Sequence, residues 1–353
     1  MRNPAIDVAR GIGICLVVLG HNWLVLRDHD SALFRVIFSF HMPLFFFLSG
    51  LFLADGQLSA HYVWRRADAL LKPYFSILVL WGLLRWKHIQ LIPYLNGLLY
   101  ATGFTIDWTP LWFLPHLFLS ILAAALCLRW TRQWPHRRLC LSGLSCLLLL
   151  LGYCLIQVLP AIAVPWQLNA NLNLPGSAIP FPGLPWSLDL LPVSCAYLLA
   201  GYLCREASSD LRFSWAKLIL AAMLFGALHT IFRVSMDLHL REFGNPWVVI
   251  PASLLGIYLV LMSSSRIVQT DYMARVFGYL GKASLCILLF HSWVEWTVFH
   301  WLQQRHLSDE LSALLALFAG LLVPVLIAEL AQRFAMFGKL ILPIHSFPAA
   351  HKG

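Results

Sequence analysis

Apolar residues run through this chain in stretches long enough to cross a bilayer as helices, which takes about 20 residues each. About ten such stretches occur, and several contain prolines, which membrane helices tolerate because neighbouring groups satisfy the freed carbonyls. The pattern predicts an all-α, polytopic membrane protein in which residues 1–353 form one membrane-embedded domain without a separate soluble domain. The predicted spans are residues 6–26, 33–53, 68–86, 111–129, 139–159, 187–204, 217–234, 247–264, 278–302 and 311–332.

Composition supports this class. Hydrophobic residues make up 60% of the chain and charged residues only 12%, whereas an ordinary soluble domain carries about 25% charged residues. The net charge of +9 is also compatible with nucleic-acid binding, but the basic residues are distributed unevenly between the two sets of loops. Loops on the side of the N-terminus hold 15 Lys and Arg, and the opposite loops hold 6. The positive-inside rule therefore predicts that both termini are cytoplasmic and that the bilayer, not a nucleic acid, is the partner.

The first span carries polar residues that an anchor does not need, namely Asp7, Arg10 and His21. An arginine at the centre of a membrane helix costs about 2.5–3.5 kcal/mol on insertion scales, so intramembrane charges usually serve a function. Arg10 and His21 are eleven positions apart, which places them on one helix face about 16 Å apart. The alternative is an ion pair that holds the bundle together, with His21 bonded to a carbonyl. Their common face favours a functional role for the set.

Basic residues mark a second region, at the entrance to the third span, where residues 64–75 read WRRADALLKPYF. Arg65 and Arg66 can anchor a helix at the lipid headgroups, or they can hold phosphates through bidentate contacts. The sequence alone leaves both interpretations open.

Two further histidines lie in apolar surroundings. His41 belongs to FSFHMPLFFFLSG, where the aromatic residues are typical of helix packing or lipid contact. His291 follows Gly281, Lys282 and Ser284, which are predicted to begin a helix. Such a helix start can accept an anion, although an ordinary helix cap explains the same residues.

Metal and nucleotide motifs do not occur in the sequence. Its eight cysteines form no CxxC pair and no metal-ligand spacing with histidine, which favours buried, inert thiols. P-loop, dinucleotide-binding, GxSxG and HExxH patterns are also absent. We therefore predict no metal site and no bound cofactor.

Several of these motifs, in this order and spacing, resemble the membrane acyltransferase-3 family. They are the arginine and histidine within DVARGIGICLVVLGH, then FSFHMPLFFFLSG, the basic entry to the third span, LWFLPHLF at 111–118 and GKASLCILLFH at 281–291. Within the family, the chain is most similar to the branch of fucose 4-O-acetylases and of exopolysaccharide O-acetyltransferases such as those that decorate xanthan. The resemblance covers most of the chain.

The resemblance implies a multi-pass enzyme of the bacterial inner membrane that transfers an acyl group, usually acetyl, from acyl-CoA to a sugar hydroxyl. The acceptor would be a surface polysaccharide or exopolysaccharide, or its lipid-linked oligosaccharide precursor. Asp68 and Ala69 interrupt the basic stretch where family members often continue it. The implied roles are catalytic for His21 and Arg10, supporting for Asp7, His41 and His291, donor-binding for Arg65, Arg66, Lys72, Lys282 and Ser284, and acceptor-binding for Trp112 and His116.

Acyl transfer suits these residues chemically. Histidine, with an ordinary pKa near 6.5, can remove the proton of a sugar hydroxyl as it attacks a thioester. Direct transfer and a histidine-bound acyl intermediate both fit the sequence. The main alternative is a transporter or flippase for a glycolipid or a small polar solute, in which the same residues form a proton or substrate path. Many transporters contain inverted repeats, and this sequence shows no internal repeat.

Overall fold

Helices provide almost all the regular structure in this computed structural model, which describes residues 3–55, 58–163 and 181–344. Most of the predicted loop 160–186 lies outside the described residues. The α-helices are α1 (Pro4–His21), α2 (Trp23–Leu26), α3 (Ala32–Phe38), α4 (His41–Gly50), α5 (Ala60–Leu84), α6 (Leu91–Tyr100), α7 (Phe113–Trp130), α8 (Arg137–Ala163), α9 (Leu191–Ser209), α10 (Trp215–Ile231), α11 (Pro246–Ile267), α12 (Asp271–Lys282), α13 (Ser284–Gln303), α14 (Asp309–Arg333) and α15 (Ala335–Ile341). Short 3₁₀ helices cover Thr109–Trp112, Thr131–Gln133 and Pro185–Leu190, and strands β1 (Met236–Asp237) and β2 (Glu242–Phe243) form an antiparallel hairpin.

The predicted all-α, polytopic membrane class is confirmed. Within the described residues, nine helical segments are long and apolar enough to cross a membrane. The remaining predicted span, 217–234, corresponds to α10, a shorter apolar helix. The pattern of apolar stretches therefore located all nine of these segments, although it did not locate every helix end, and the membrane-spanning role of α10 stays a prediction.

The first span ends earlier than predicted, at His21 instead of residue 26, because Asn22 interrupts it. The Asn22 backbone is extended (ψ 146°), its N–H donates to the Leu19 carbonyl, and its side-chain oxygen accepts from Leu24 N at 3.1 Å. Asn22 thus closes α1 and caps α2. His21 consequently lies at the very end of α1.

The ninth span also differs from the prediction. It begins at Ser284 instead of residue 278, since the backbone at Ala283 (φ −82°, ψ 0°) separates α13 from the amphipathic helix α12. Gly281 and Lys282 therefore end α12, and the prediction that they begin the following helix is wrong. Gly281 is required for packing, because a Cβ there would lie 2.0 Å from the Asp7 carbonyl oxygen of α1.

The chain groups into two compact units, each built from discontinuous segments. Unit 1 comprises Met1–Leu53 and Tyr197–Leu326, and unit 2 comprises Ala54–Ala196 and Ile327–Gly353. The expected single membrane-embedded domain stays a prediction. The two units are described separately below.

In unit 1, α1 packs against α4, α11, α12 and α13. Its closest approach is to α12, where Gly11 faces the Phe277 carbonyl oxygen so tightly that a Cβ would lie 2.0 Å away. Apolar residues of α1 such as Val8, Ala9 and Val18 are almost completely buried. This packing fixes the position and rotation of the helix that carries the first predicted site residues.

Unit 2 is stabilised by polar contacts as well as apolar packing. The Tyr74 hydroxyl of α5 donates to the Leu98 carbonyl of α6 at 2.8 Å, and α5 also packs against α7. Arg137, at the start of α8, makes a bidentate contact with Asp55, with the shorter N–O distance at 2.5 Å. The Arg137–Asp55 contact connects the segment that precedes α5 with the start of α8.

Candidate active site

The α1 helix carries a cation near its start and an imidazole at its end. Arg10 Nη1 lies 4.0 Å from Asp7 Oδ1, and its guanidinium carbon lies 4.8 Å from the centre of the Phe52 ring. Asp7 is buried, whereas Arg10 remains partly exposed. His21 is eleven residues further on, about 16 Å along the same helix. The Asp7–Arg10 pair is therefore well separated from the imidazole, and each can act on a different part of a long substrate.

The His21 ring is held in an orientation that suits a base. Its Nδ1 lies 2.9 Å from the Val17 carbonyl oxygen, and since a carbonyl can only accept, Nδ1 carries the hydrogen. The neutral ring then presents a lone pair at Nε2, where no donor from the described residues is bound. The half-buried His21 side chain lines a cavity. Proton removal by histidine requires this combination of a fixed ring, a free lone pair and access to substrate.

Two of the predicted supporting histidines surround His21. The His291 ring meets the His21 ring edge to face, with the ring centres 5.1 Å apart. Phe38 lies between His21 and His41, its centre 6.3 Å from the first ring and 4.7 Å from the second. Both His41 and His291 are buried, and each Nδ1 donates to the carbonyl four residues earlier at 3.0 Å and 2.8 Å. The structure thus brings together three histidines that are far apart in the sequence.

The hairpin between α10 and α11 adds a fourth histidine, which the sequence analysis missed. Burial, then the Arg241 guanidinium, then His21 lower the pKa of His239 to about 3, so His239 is neutral at physiological pH. Burial raises the pKa of the neighbouring Asp237 to about 6, although backbone N–H groups, including that of Leu240, act in the opposite direction. The influence of His21 on His239 places this hairpin beside the α1 end. The short hairpin sequence gave no periodic signal for this arrangement.

The cavity beside His21 has a volume of about 440 Å³ and is also lined by residues of α13. Glu295 is the unexpected member, because this buried carboxyl lies in the apolar stretch WVEWTVFHW. An ionisable residue inside a membrane helix is a functional candidate by default, so the sequence contained a signal for Glu295.

A second cavity, of about 730 Å³, lies at the other end of α1. Asp7, Arg275, Tyr279 and Lys282 are among the residues that line it. In this cavity the predicted donor residue Lys282 lies near the Arg275 guanidinium and near the Asp7 carboxylate. Ser284, the first residue of α13, is not among the lining residues.

In unit 2, Arg65 and Arg66 line a cavity of about 370 Å³ together with His61 and Tyr62. The Arg66 guanidinium carbon lies 5.1 Å from the centre of the Tyr62 ring. The Tyr62 hydroxyl is buried and has no hydrogen-bond partner among the residues that the structure describes. Two guanidinium groups beside a hydroxyl form a suitable site for a phosphorylated ligand.

Lys72 lies apart from this arginine cavity, although the resemblance grouped the three residues. Its Nζ donates to Asp68 Oδ1 at 2.6 Å and to the Leu342 carbonyl at 2.7 Å. Asp68 Oδ2 also accepts from Ile344 N at 2.7 Å. The aspartate that interrupts the basic stretch is therefore the partner of Lys72, and together they hold the C-terminal segment against α5.

Trp112 and His116 lie in the interior of unit 2. Both are buried, with ring centres 5.5 Å apart. His116 Nδ1 donates to the Trp186 carbonyl at 3.2 Å, so Nε2 accepts from the Ser194 hydroxyl at 2.9 Å. These contacts hold the start of α7 against the start of α9, and the acceptor-binding role of the two residues stays a prediction.

The predicted site residues thus divide between the two units. Unit 1 contains the predicted catalytic and supporting residues together with Lys282 and Ser284, whereas unit 2 contains Arg65, Arg66, Lys72, Trp112 and His116. Among residues 3–55, 58–163 and 181–344, no group of three or more His, Cys, Asp or Glu side chains is placed to hold a metal ion.

Comparison with known families identifies the class of enzyme. The model of the acyltransferase-3 family, described as an acyltransferase domain, matches residues 3–329. The chain belongs to this family, and the match covers most of both units. Neither a curated protein nor a solved structure matches it. The family supports a membrane acyltransferase and does not favour a transporter.

Proposed function

We propose that the protein transfers an acetyl group from acetyl-CoA to a hydroxyl of a sugar in a surface polysaccharide or exopolysaccharide, or in its lipid-linked precursor. The observation that carries the proposal is the geometry of His21. Its Nδ1 is fixed by the Val17 carbonyl, and its Nε2, which no described residue contacts as a donor, lies beside a cavity. Within an acyltransferase family, such an imidazole serves as the general base that activates the acceptor.

In the proposed reaction, His21 Nε2 takes the proton of the acceptor hydroxyl as the oxygen attacks the thioester carbonyl. A C–O bond forms, the C–S bond then breaks, and the imidazolium returns the proton to the leaving thiolate to give free CoA. The rings of Phe38 and His291 pack against His21, with His41 behind Phe38, and exclude water from its buried side. Since the thioester is already activated, the transfer needs no metal ion.

We assign binding of the acetyl-CoA donor to basic residues near the start of α5 and at the end of α12. Arg65 and Arg66 line one cavity with Tyr62, whose buried hydroxyl has no partner among the described residues, and Lys282 lines another with Arg275. Guanidinium groups bind phosphates through paired hydrogen bonds, and we assign the arginine pair to the phosphates of CoA. Within unit 1, Lys282 and Ser284 are the proposed donor-binding residues, and Arg10 orients the donor or the active site.

The distribution of charge supports a location in the bacterial inner membrane with both termini in the cytoplasm. That orientation places the start of α1 on the side where acyl-CoA is made, and His21 about 16 Å deeper. An extended pantetheine arm would carry the thioester toward this depth. The proposed acceptor class, that of the fucose 4-O-acetylase and xanthan-type branch, rests on the sequence resemblance.

Purified protein incubated with radiolabelled acetyl-CoA and a panel of bacterial glycans tests the proposal. We expect transfer of label to the glycan as an ester, with release of one free CoA for each ester formed. A transporter would instead move a solute into proteoliposomes without acylation. Absence of ester in every glycan, together with such movement, would contradict the proposal.

A further inference from the structure

The cavity beside His21 has a chemical character unlike that of the two basic cavities. It follows one face of α13 from Ser292 to Gln303, about 16 Å, and the ends of α1 and α2 close its other side. None of the residues that line it is Lys or Arg, whereas Glu295 contributes a carboxyl group. A polyanionic CoA is poorly suited to such a site, because no cationic side chain lines it and the Arg27 guanidinium, which lies over the Trp23 ring, is paired with Glu310 at 3.4 Å. A neutral ligand fits the charge of the cavity.

The Glu295 carboxyl group needs a hydrogen-bond donor. Both oxygens are buried, and neither accepts a hydrogen bond from the residues that the structure describes. The neighbouring Asn22 amide offers at most one hydrogen, which cannot satisfy both oxygens, since its Nδ2 donates the other to the Ala313 carbonyl at 2.9 Å and its Oδ1 accepts from Leu24 N. The carboxyl lies against the backbone of α14 at Gly320, where a Cβ would come within 2.8 Å of Oε1. Buried polar groups are normally paired, so this one indicates a missing partner.

Aromatic side chains form the apolar part of the same wall. Trp23 stacks on Phe299 with ring centres 5.4 Å apart, and Trp296 lies beside His300 at 4.3 Å. Gln303 closes the far end of the cavity. Aromatic residues combined with a few hydrogen-bonding groups suit a ligand that has both apolar faces and hydroxyl groups. A pyranose ring has this amphipathic character.

We propose that this cavity binds the sugar ring of the acceptor, with Glu295 accepting hydrogen bonds from its hydroxyls and Trp296 contacting an apolar face. The assignment rests on the proposed O-acetyl transfer, and it places the acceptor in unit 1 beside His21. The volume of about 440 Å³ lies within the usual range for small-ligand sites, about 300–1,000 Å³. Because His21 lines the same cavity, a hydroxyl of the bound ring is within reach of the base.

The test uses the full-length protein in a host strain from which its gene has been deleted. Variants Glu295→Ala, Glu295→Gln and Trp296→Ala are expressed at equal levels, and ester-linked acetyl is measured per sugar residue of the surface polysaccharides. Each purified variant is also tested for binding of radiolabelled acetyl-CoA. We expect the Glu295 variants to lower the acetyl content about 10-fold or more, the effect of leaving a bound hydroxyl without its buried hydrogen-bond partner, with donor affinity unchanged.

Two matched variants serve as controls. Glu310→Ala removes an exposed carboxylate that pairs with Arg27, and Trp247→Ala removes a tryptophan that is 79% exposed and outside the cavity lining. Both should acetylate normally. Trp296 is itself 65% exposed, so its replacement leaves the core intact and keeps the test valid if Glu295→Ala fails to fold.

Normal acetylation by both the Glu295→Gln and the Trp296→Ala variants would overturn the inference. Loss of acetyl-CoA binding in these variants would also overturn it, since the cavity would then serve the donor or the fold. If the wild-type gene restores no ester-linked acetyl, the proposed function itself fails. That outcome is recognised before any variant is compared.

Discussion

The contact between Lys72 and Asp68 makes the sharpest stability prediction. Replacing Asp68 by alanine removes the acceptor of Lys72 Nζ at 2.6 Å and leaves the Ile344 N–H without its partner at 2.7 Å. Breaking a fully buried ion pair costs about 3–5 kcal/mol, and an unsatisfied buried N–H costs about 1–3 kcal/mol. The Lys72 side chain retains 22% exposure, which reduces the electrostatic part. We therefore expect a loss of about 2–4 kcal/mol in the free energy of unfolding.

Thermal denaturation of the purified protein in detergent, followed by the loss of monodisperse protein, measures this effect. Asp68→Ala should lower the Tm by roughly 3–5 °C in a chain of 353 residues, and Asp68→Asn, which keeps one oxygen acceptor, should lower it less. Asp210→Ala, an exposed carboxylate, is the matched control and should change nothing. An unchanged Tm in Asp68→Ala would refute the stabilising role. Weaker acetyl-CoA binding at unchanged Tm would instead assign the pair to the donor site.

Three further predictions concern the donor, the orientation and the hairpin. Arg65→Ala and Arg66→Ala should raise the KM for acetyl-CoA more than they lower kcat, and replacement by lysine should restore the KM only in part. A change in kcat alone would exclude a role of these arginines in binding the phosphates of the donor. Reporter tags at the C-terminus and within loop 160–186 should report opposite sides of the membrane, and the same side for both would refute the ten-span arrangement. Since the pKa of Asp237 is raised to about 6, its protonation stabilises the folded state as the pH falls from 7 to 5. The Asp237→Asn variant should therefore show a larger drop in Tm between pH 7 and pH 5 than the wild type. An equal drop in Tm would contradict the raised pKa of Asp237.

The sequence was most informative about the spans and the polar face of α1. The length of an apolar stretch is enough to predict a membrane helix. The helical repeat is enough to predict that Arg10 and His21 lie on one face of α1. Helix ends were harder to predict. Asn22 ends α1 because its side chain can cap the next helix, and hydropathy does not register a cap of this kind. For the same reason the boundary between α12 and α13 was misplaced, since an amphipathic helix leads directly into an apolar one.

Parts of the site could not be predicted because they depend on tertiary contacts. His239 approaches His21 through a hairpin of two-residue strands, too short for a periodic pattern. The role of Asp68 depends on its contact with Ile344, which lies far from it in the sequence and which no local pattern connects to α5. Glu295 was accessible to sequence reasoning, because a single carboxylate in an apolar span is unusual, but its cavity depends on α1, α2 and α14.

The central claim is that His21 acts as the general base, and kinetics on His21→Ala test it most directly. The variant should fold and bind acetyl-CoA normally, while kcat for acetyl transfer falls by a factor on the order of 10²–10⁴, the usual contribution of a positioned acid–base group. His88→Ala, which removes an exposed histidine outside the site, serves as the matched control and should retain full activity. A His21→Ala enzyme with near-normal kcat would contradict the account and leave His21 as a packing residue.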